Sequence, residues 1–369
     1  MQAVDQLRAN LRHPHLPALD GVRAVAALLV VFYHANFRWS SGSLGVLIFF
    51  VLSGFLITWL LLKEEKQYQS ISLRKFYMRR SLRIFPAFYV YWILVVVGIG
   101  LIVKGKSPTA QSICSFFYVT NYYQAIWGDP NTGLSHTWSL AIEEQFYLFW
   151  PFLFLILKSN RIRLRFLLGG VGAIWIYREF MVLVVKVSQG YVYEALDMRA
   201  DHLLIGCLLA VALFEGRFQQ LWSFLCRSPL LQLVTVSLFV IEQLVAASGL
   251  HRYRDWGGFI IEPVLVFLLI PQLLAFTNGP ITRLLDTRAM RYLGRISYSI
   301  YLYQQIVLHP VEKRLAGHPV ALFFGCLAVA VACASASYFL VERPFLKLKD
   351  RFERIKPATT QPEAQPKAA

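Results

Sequence analysis

The stretch VRAVAALLVVFYHANF, residues 22 to 37, carries two ionisable side chains in an otherwise apolar run. Arg23 and His34 lie eleven residues apart, which in a helix corresponds to about three turns plus roughly 20° and to about 16 Å of rise. Both side chains are therefore predicted on one face of one helix. Because ionisable groups inside a membrane are costly and usually face a cavity, this pair indicates a polar pathway through a bilayer.

Similar apolar runs recur along the whole chain, which is 57% hydrophobic and has a mean hydropathy of +0.50. This composition predicts an all-α polytopic membrane protein with about ten transmembrane helices in contact with the lipid bilayer. The helices are expected near 17–37, 44–62, 84–103, 139–157, 166–187, 201–215, 230–249, 257–276, 296–312 and 320–341.

The net charge of +16 and the pI of about 9.7 would suggest nucleic-acid binding in a soluble chain. Here, however, most of the basic residues lie in alternate loops, and residues 107–157 contain no Lys or Arg. That pattern follows the positive-inside rule, so it argues against nucleic-acid binding and places both termini in the cytoplasm of a multi-pass cell-membrane protein. We expect residues 1–345 to form the membrane domain and residues 346–369 to form a cytoplasmic, disordered tail.

Three arginines, Arg79, Arg80 and Arg83, crowd the predicted start of the third helix in FYMRRSLRIFPAFY, ahead of Pro86. They can be explained as topology signals alone. Lysine would serve that purpose equally well, whereas guanidinium groups match phosphate oxygens in bidentate fashion. A phosphate-bearing cytoplasmic ligand is the alternative interpretation.

Ser139, Glu143 and Tyr147 follow one another at intervals of four residues in HTWSLAIEEQFYLFWP, residues 136–151. Their spacing predicts a polar stripe that begins on the non-cytoplasmic side and descends along the helix. A helix start with Ser139 as cap would explain the acidic residue, but it would not explain Tyr147. A carboxylate at that depth is suited to orient His34.

These motifs resemble the membrane acyltransferase-3 family, which O-acylates carbohydrates and related molecules. The resemblance runs from about residue 15 to VERPF at 341–345, in the order expected for the family. The segments that carry it are Arg23 to His34, FFVLSGF with Ser53, Arg80 to Pro86, Ser139 to Tyr147, MRADHLLIGCLLA with Arg199 and Asp201, and LGRISYSIYLYQ with Tyr298, Ser299, Tyr301 and Gln304.

The resemblance implies an integral membrane O-acyltransferase. Such an enzyme takes an acyl group, usually acetyl, from cytoplasmic acyl-CoA and places it on a hydroxyl of a carbohydrate or glycosylated acceptor, as in polysaccharide modification, and no metal is implied. The roles expected by resemblance are catalysis by His34, Glu143 and Arg23, donor binding by Arg79, Arg80, Arg83 and Ser53, and acceptor binding by Ser139, Tyr147, Trp138, Arg199 and Asp201.

Two alternatives stay open at this stage. His34 can act as a general base or can carry the acyl group, and the sequence does not separate these roles. A proton-coupled transporter or flippase would also bury Arg, His and Glu in a helical bundle. Against a carrier, the sequence shows no convincing internal repeat and no matched pair of Gly- or Pro-broken helices.

Overall fold

The computed structural model describes residues 2–12, 16–35, 42–99, 109–248, 253–315 and 318–354, and every regular element in these ranges is a helix. The α-helices are α1 (Gln2–Arg12), α2 (Pro17–His34), α3 (Gly42–Tyr68), α4 (Leu73–Ile93), α5 (Thr109–Phe116), α6 (Thr120–Trp127), α7 (Thr137–Ile156), α8 (Asn160–Phe180), α9 (Gln189–Glu194), α10 (Leu196–Phe214), α11 (Gln219–Leu225), α12 (Pro229–Ala247), α13 (Phe259–Ala275), α14 (Pro280–Leu285), α15 (Arg288–Arg295), α16 (Ser297–Leu315), α17 (Pro319–Ser337) and α18 (Arg343–Lys349).

Short π-helical segments extend several of these elements. They are Leu94–Ile99 after α4, Met181–Val185 after α8, Arg254–Gly258 before α13 and Tyr338–Glu342 after α17, and a 3₁₀ turn, Asp350–Phe352, follows α18. Within the described residues, each of the ten predicted hydrophobic segments overlaps an α-helix. In the described part of the chain, seven helices are long and apolar enough to cross a membrane. The chain is thus an all-α membrane protein, and the count of about ten spans stays a prediction.

Helix α3 lies at the centre of the bundle, since 78% of its most apolar stretch is buried, against 17% in α8 and in α12. A helix that is apolar on all sides is expected to be surrounded by protein or lipid, and α3 is buried among the other helices of the protein. Its contact with α10 is unusually close. A Cβ atom at Gly54 would lie 2.0 Å from the carbonyl oxygen of Leu203, and one at Gly206 would lie 2.0 Å from that of Val51. Glycine at both positions lets the two backbones touch.

The helix that carries the arginine cluster begins at Leu73 rather than near residue 84. Ser72 caps it by accepting a hydrogen bond from the backbone N–H of Lys75 at 3.4 Å. Hydropathy places the start too late because the first turns are charged, although arginine and lysine are good helix formers. The arginines therefore project from a continuous helix rather than from a loop.

The predicted boundary at residue 345 falls inside α18, which continues through the 3₁₀ turn to residue 352. Residues 355–369, which hold the rest of the predicted tail, lie outside the described residues, so their predicted disorder stays a prediction. The predicted outer loop between the third and fourth spans contains two short helices, α5 and α6.

Candidate active site

A cavity of about 280 Å³ lies between α2, α3, α4, α7 and α16. It brings together seven residues that the sequence analysis selected from four separate segments. These are Arg23, Ser53, Arg80, Arg83, Ser139, Glu143 and Tyr147. Further polar lining residues are Asp20, Lys63, Ser297, Tyr298 and Tyr301. A single internal site therefore joins most of the predicted motifs.

Glu143 is fixed within this cavity by a hydrogen bond from the hydroxyl of Ser53, with an Oγ···Oε1 distance of 2.8 Å. The bond links the FFVLSGF segment of α3 to the polar stripe of α7. Arg23 also has a nearby acidic partner, since its Nη1 lies 3.2 Å from Oδ1 of Asp20 one turn earlier in α2. Both acidic groups of the cavity are thus held by neighbouring side chains.

Arg80 and Arg83 have no hydrogen bond or ion pair with any of the residues that the structure describes. The guanidinium of Arg80 instead lies over the ring of Tyr147, at 4.9 Å from its centroid. Lys63, which sequence analysis missed, lines the same cavity from α3. These three cations leave the cavity ready to accept an anionic ligand, and a stacked guanidinium is already held in position for bidentate contact with phosphate.

Arg79 is used differently, although it is adjacent to Arg80 in the sequence. Its Nη2 lies 3.1 Å from Oε2 of Glu64, and its Nη1 donates to the carbonyl oxygen of Phe352 at 3.0 Å. Glu64 is buried and also accepts from Arg354 at 3.1 Å and from the backbone N–H of Ser72 at 2.9 Å. Arg79 is not a lining residue of the cavity, and it ties the C-terminal segment to α3 and α4.

His34 is the last residue of α2, is half-buried, and does not line the cavity. Its Nδ1 lies 2.9 Å from the carbonyl oxygen of Val30, so that nitrogen carries the proton and donates it. In the neutral ring, Nε2 is then the basic and nucleophilic nitrogen. Gln304 of α16 lies beside the imidazole.

A short polar chain leads from the cavity towards His34. The hydroxyls of Ser139 and Tyr301 are hydrogen-bonded at 2.6 Å, and Tyr301 lies 2.9 Å from the carbonyl oxygen of His136. The rings of Tyr301 and His136 meet edge to face, with centroids 5.3 Å apart. The ring of His136 lies near that of His34. Neither ring nitrogen of His136 has a hydrogen-bond partner among the described residues, so the hydrogen bonds of this chain end at the backbone carbonyl oxygen of His136. Sequence analysis missed His136, although it directly precedes the motif that holds Ser139.

Three predicted acceptor residues, Trp138, Arg199 and Asp201, lie outside the cavity lining. Trp138 packs against Phe50 of the cavity wall, with ring centroids 6.3 Å apart. Asp201 is fully buried and accepts hydrogen bonds from Arg178 at 3.0 Å and 3.1 Å. Asp201 therefore acts as the counter-ion of a buried arginine, and Arg199 is also fully buried.

Outside the membrane-spanning helices, Glu194 of the short helix α9 is 8% exposed. Burial, and secondarily the negative charge of Asp129, raise the pKa of Glu194 to about 8. The described residues contain no group of three or more His, Cys, Asp or Glu placed to hold a metal ion.

The fold and the cavity define a polytopic membrane protein with an internal cation-rich site. The chain belongs to the family whose model is described as an acyltransferase domain, which matches residues 16–339. It is 31% identical to a peptidoglycan O-acetyltransferase of Listeria monocytogenes over 90% of this chain and 56% of that protein. It is 35% identical to a putative peptidoglycan O-acetyltransferase of Bacillus subtilis, again over 90% of this chain and over 55% of the relative.

A putative O-acetyltransferase of Staphylococcus aureus is 31% identical over 90% of this chain and 58% of the relative. The chain thus spans little more than half the length of these relatives. No solved structure matches the chain.

Proposed function

We propose that the protein is a membrane O-acyltransferase that moves an acyl group, in the simplest case acetyl, from acyl-CoA to a hydroxyl of a peptidoglycan-type carbohydrate. The observation that carries the proposal is the shared cavity, in which Arg80 and Arg83, which form no ion pair with the described residues, lie in the same space as the Ser53–Glu143 pair. The names of the relatives support acetyl as the group and peptidoglycan as the acceptor class.

Arg80, Arg83 and Lys63 form the donor end of the site. Coenzyme A has a phosphorylated nucleotide and a slender pantetheine arm, and guanidinium groups suit its phosphates. A cavity of about 280 Å³ lies just below the range of roughly 300–1,000 Å³ that is usual for small-molecule sites. It therefore suits the pantetheine arm while the nucleotide stays at the mouth. The distribution of Lys and Arg supports a cytoplasmic donor and cytoplasmic termini.

His34 is the proposed centre of acyl transfer, with Nε2 as the reacting nitrogen. As a general base, it takes the proton of the acceptor hydroxyl while the oxygen attacks the thioester carbonyl, the C–S bond breaks, and the thiolate of CoA takes up a proton. As an acyl carrier, Nε2 attacks the thioester carbonyl, the C–S bond breaks, and the thiolate of CoA takes up the proton that the imidazole loses. The acceptor hydroxyl then attacks the acyl-imidazole, the C–N bond breaks, and the proton of the hydroxyl returns to the imidazole. In both routes we expect Ser139, Tyr301 and His136 to line the path from the donor cavity to His34, and we expect Glu143 and Arg23 to set the charge along that path.

The test is acyl transfer by purified full-length protein in liposomes, with [¹⁴C]acetyl-CoA as donor and glycan fragments of peptidoglycan as acceptor. We expect the label to appear as a base-labile ester on the glycan. A transporter or flippase would move a solute or lipid across the bilayer without consuming the thioester. Thioester loss no faster than in protein-free liposomes, with every glycan tried, would reject the enzyme.

The proposed topology is tested separately, at the exposed Pro130 between α6 and α7. Pro130→Cys should react with a membrane-impermeant maleimide added outside intact cells, and the unsubstituted protein serves as the control for the five native cysteines. Labelling that appears only after the membrane is permeabilised would place this segment in the cytoplasm. The cavity end that carries Arg80 and Arg83 would then face the outside of the cell, which contradicts the proposed topology.

A further inference from the structure

Arg199 is fully buried, and none of its three side-chain nitrogens has a hydrogen-bond partner among the described residues. Its guanidinium lies over the ring of Phe259, at 3.9 Å from the centroid, and faces the ring of Tyr193 at 5.4 Å. Ring faces attract a cation, but they offset only part of the cost of removing it from water. A buried guanidinium between two aromatic rings, whose five N–H groups have no acceptor among the described residues, is suited to bind an anion.

The carboxylates near Arg199 are bound to other arginines. Asp201 accepts from both terminal nitrogens of Arg178. Oε1 of Glu262 accepts a hydrogen bond from Gln243 at 2.7 Å and lies 3.5 Å from a terminal nitrogen of Arg254, whereas its Oε2 has no hydrogen-bond partner among the described residues. Within the part of the chain that the structure describes, neither carboxylate is hydrogen-bonded to Arg199. Of these three arginines, Arg199 is therefore the one that forms neither a hydrogen bond nor an ion pair with the side chains that the structure describes.

The backbone around Arg199 increases the need for an anion. The residue lies in the first turn of α10, a helix of 19 residues. The N-terminal end of a helix carries partial positive charge, which disfavours a cation and favours an anion. The acidic residue of the same turn, Asp197, is hydrogen-bonded to tyrosine hydroxyls, including that of Tyr122 at 3.1 Å.

The Arg199 site lies close to the active-site cavity. The ring of Tyr193 packs on that of Trp138, with centroids 4.8 Å apart, and Trp138 contacts Phe50, which lines the cavity. Tyr193 and Trp138 thus lie between the guanidinium and the cavity, and one of these rings has to rotate for a ligand to reach the guanidinium from the cavity. A ligand held there would extend towards Ser139, at the far end of the cavity from Lys63.

We infer that Arg199 binds an anionic group of the acceptor, so that the enzyme selects acidic carbohydrates. The flat guanidinium between two rings matches a planar carboxylate with two oxygens, and ring faces also suit the apolar face of a sugar. A phosphate of a lipid headgroup has the same oxyanion chemistry and is distinguished by experiment. The inference rests on the proposed acyl transfer only in calling the ligand an acceptor.

The binding test compares two sugars that differ by one acidic group. N-acetylglucosaminyl-N-acetylmuramic acid carries a lactyl carboxylate, and N,N′-diacetylchitobiose is its neutral counterpart. Calorimetry on the full-length protein in phosphatidylcholine nanodiscs should show that Arg199→Met weakens binding of the acidic sugar roughly 10- to 150-fold and leaves binding of N,N′-diacetylchitobiose unchanged. Arg199→Lys should restore part of the affinity, because it keeps the charge but loses the fork.

Lys186→Met is the matched control, since it removes one exposed positive charge near the same end of the bundle. It should leave the affinity for both sugars within about twofold, because an exposed charge is screened. If Arg199→Met does not fold, Arg199→Lys decides by the same comparison. Equal loss for both sugars, no preference of the unsubstituted protein for the acidic sugar, or weaker binding of coenzyme A overturns the inference.

Two further experiments distinguish a carbohydrate carboxylate from a lipid phosphate as the anion, and distinguish this inference from the proposed acyl transfer. If phosphatidylglycerol in the nanodiscs, without sugar, raises the melting temperature of the unsubstituted protein but not of Arg199→Met, the anion is a lipid phosphate, and the carbohydrate assignment is rejected. In the transfer assay, failure of the unsubstituted protein to acetylate either sugar counts against the proposed function. The binding comparison then still decides whether Arg199 recognises an anion.

Discussion

Replacing Arg80 by alanine tests the donor site directly, because Arg80 is half-buried in the cavity and stacked on Tyr147. Loss of a charge-assisted hydrogen bond to a phosphate should cost about 1.5–3 kcal/mol, or roughly 10- to 150-fold in affinity for coenzyme A. Arg83 lines the same cavity but is exposed, so its replacement should cost only about 0.5–1 kcal/mol, roughly 2- to 5-fold.

Arg79 provides the internal control for this prediction. It belongs to the same arginine cluster, but it is bound to Glu64 and to the carbonyl oxygen of Phe352 and lies outside the cavity lining. Arg79→Ala should leave coenzyme A affinity within about twofold. It should lower the stability by about 1–3 kcal/mol, because the buried Glu64 carboxylate loses a charged donor.

The assay is calorimetric titration of the purified variants with coenzyme A, accompanied by thermal unfolding of each variant. Arg80→Lys should recover part of the affinity, since the ammonium keeps the attraction but loses the planar fork and its stacking. Unchanged affinity in Arg80→Ala would refute the assignment, and the arginines would then be topology signals, with the donor bound elsewhere. Equal weakening by Arg79→Ala and Arg80→Ala would also refute it, because the loss would then not depend on a position in the cavity.

Three further predictions concern the reaction, the packing and pH. His34→Ala and Glu143→Gln should each lower the rate of acyl transfer by at least about 100-fold. The affinity of His34→Ala for coenzyme A should stay near that of the unsubstituted protein. A decrease in the transfer rate of less than about tenfold would contradict the assignment. Gly206→Ala should destabilise the protein by about 1–3 kcal/mol in thermal unfolding, because its Cβ would lie 2.0 Å from a carbonyl oxygen. Gly169→Ala, on the open face of α8, should leave the stability unchanged, because none of the described atoms lies within 4 Å of its Cβ. Burial and a neighbouring aspartate raise the pKa of Glu194 to about 8, so the folded chain binds this proton more tightly than the unfolded chain. The stability of the protein should therefore fall as the pH rises from about 4.3 to about 8. Glu194→Gln should flatten the dependence of the melting temperature on pH between about pH 6 and about pH 8.5.

The helices of the bundle could be predicted from the sequence because their apolar runs are long and uninterrupted. The helix boundaries are harder to predict from the sequence where a helix continues into charged residues. Helix α3 runs on to Tyr68, which places Lys63 on a helix one turn beyond Trp59 and in the wall of the cavity. The spacing of Ser53, Leu56 and Lys63 by three and seven residues already indicates a shared face, and this was the missed signal.

The grouping of Arg23, Ser53, Arg80 and Glu143 in one cavity follows the motifs that the sequence displays. The separation of Arg79 from Arg80 does not, because it depends on Glu64 and on a residue more than 250 positions later in the chain. Long-range pairing of this kind leaves no local pattern. The same limit applies to Asp201, whose role is set by Arg178 of another helix.

The glycine-mediated contact between α3 and α10 determines which parts of the cavity can move. Where two backbones touch, with Gly54 against Leu203 and Gly206 against Val51, sliding or separation of the helices opens a gap that no side chain can fill. The wall that carries Ser53 is therefore a fixed reference in the molecule. Helix α2 is held in the same way, since a Cβ atom at Gly45 would lie 2.4 Å from the carbonyl oxygen of Ala26 and one at Gly294 would lie 2.0 Å from that of Asp20. Motion that admits a bulky acceptor is therefore expected in α4, α7 and α16, which line the cavity through side chains, and exchange or spectroscopic labels should detect it there.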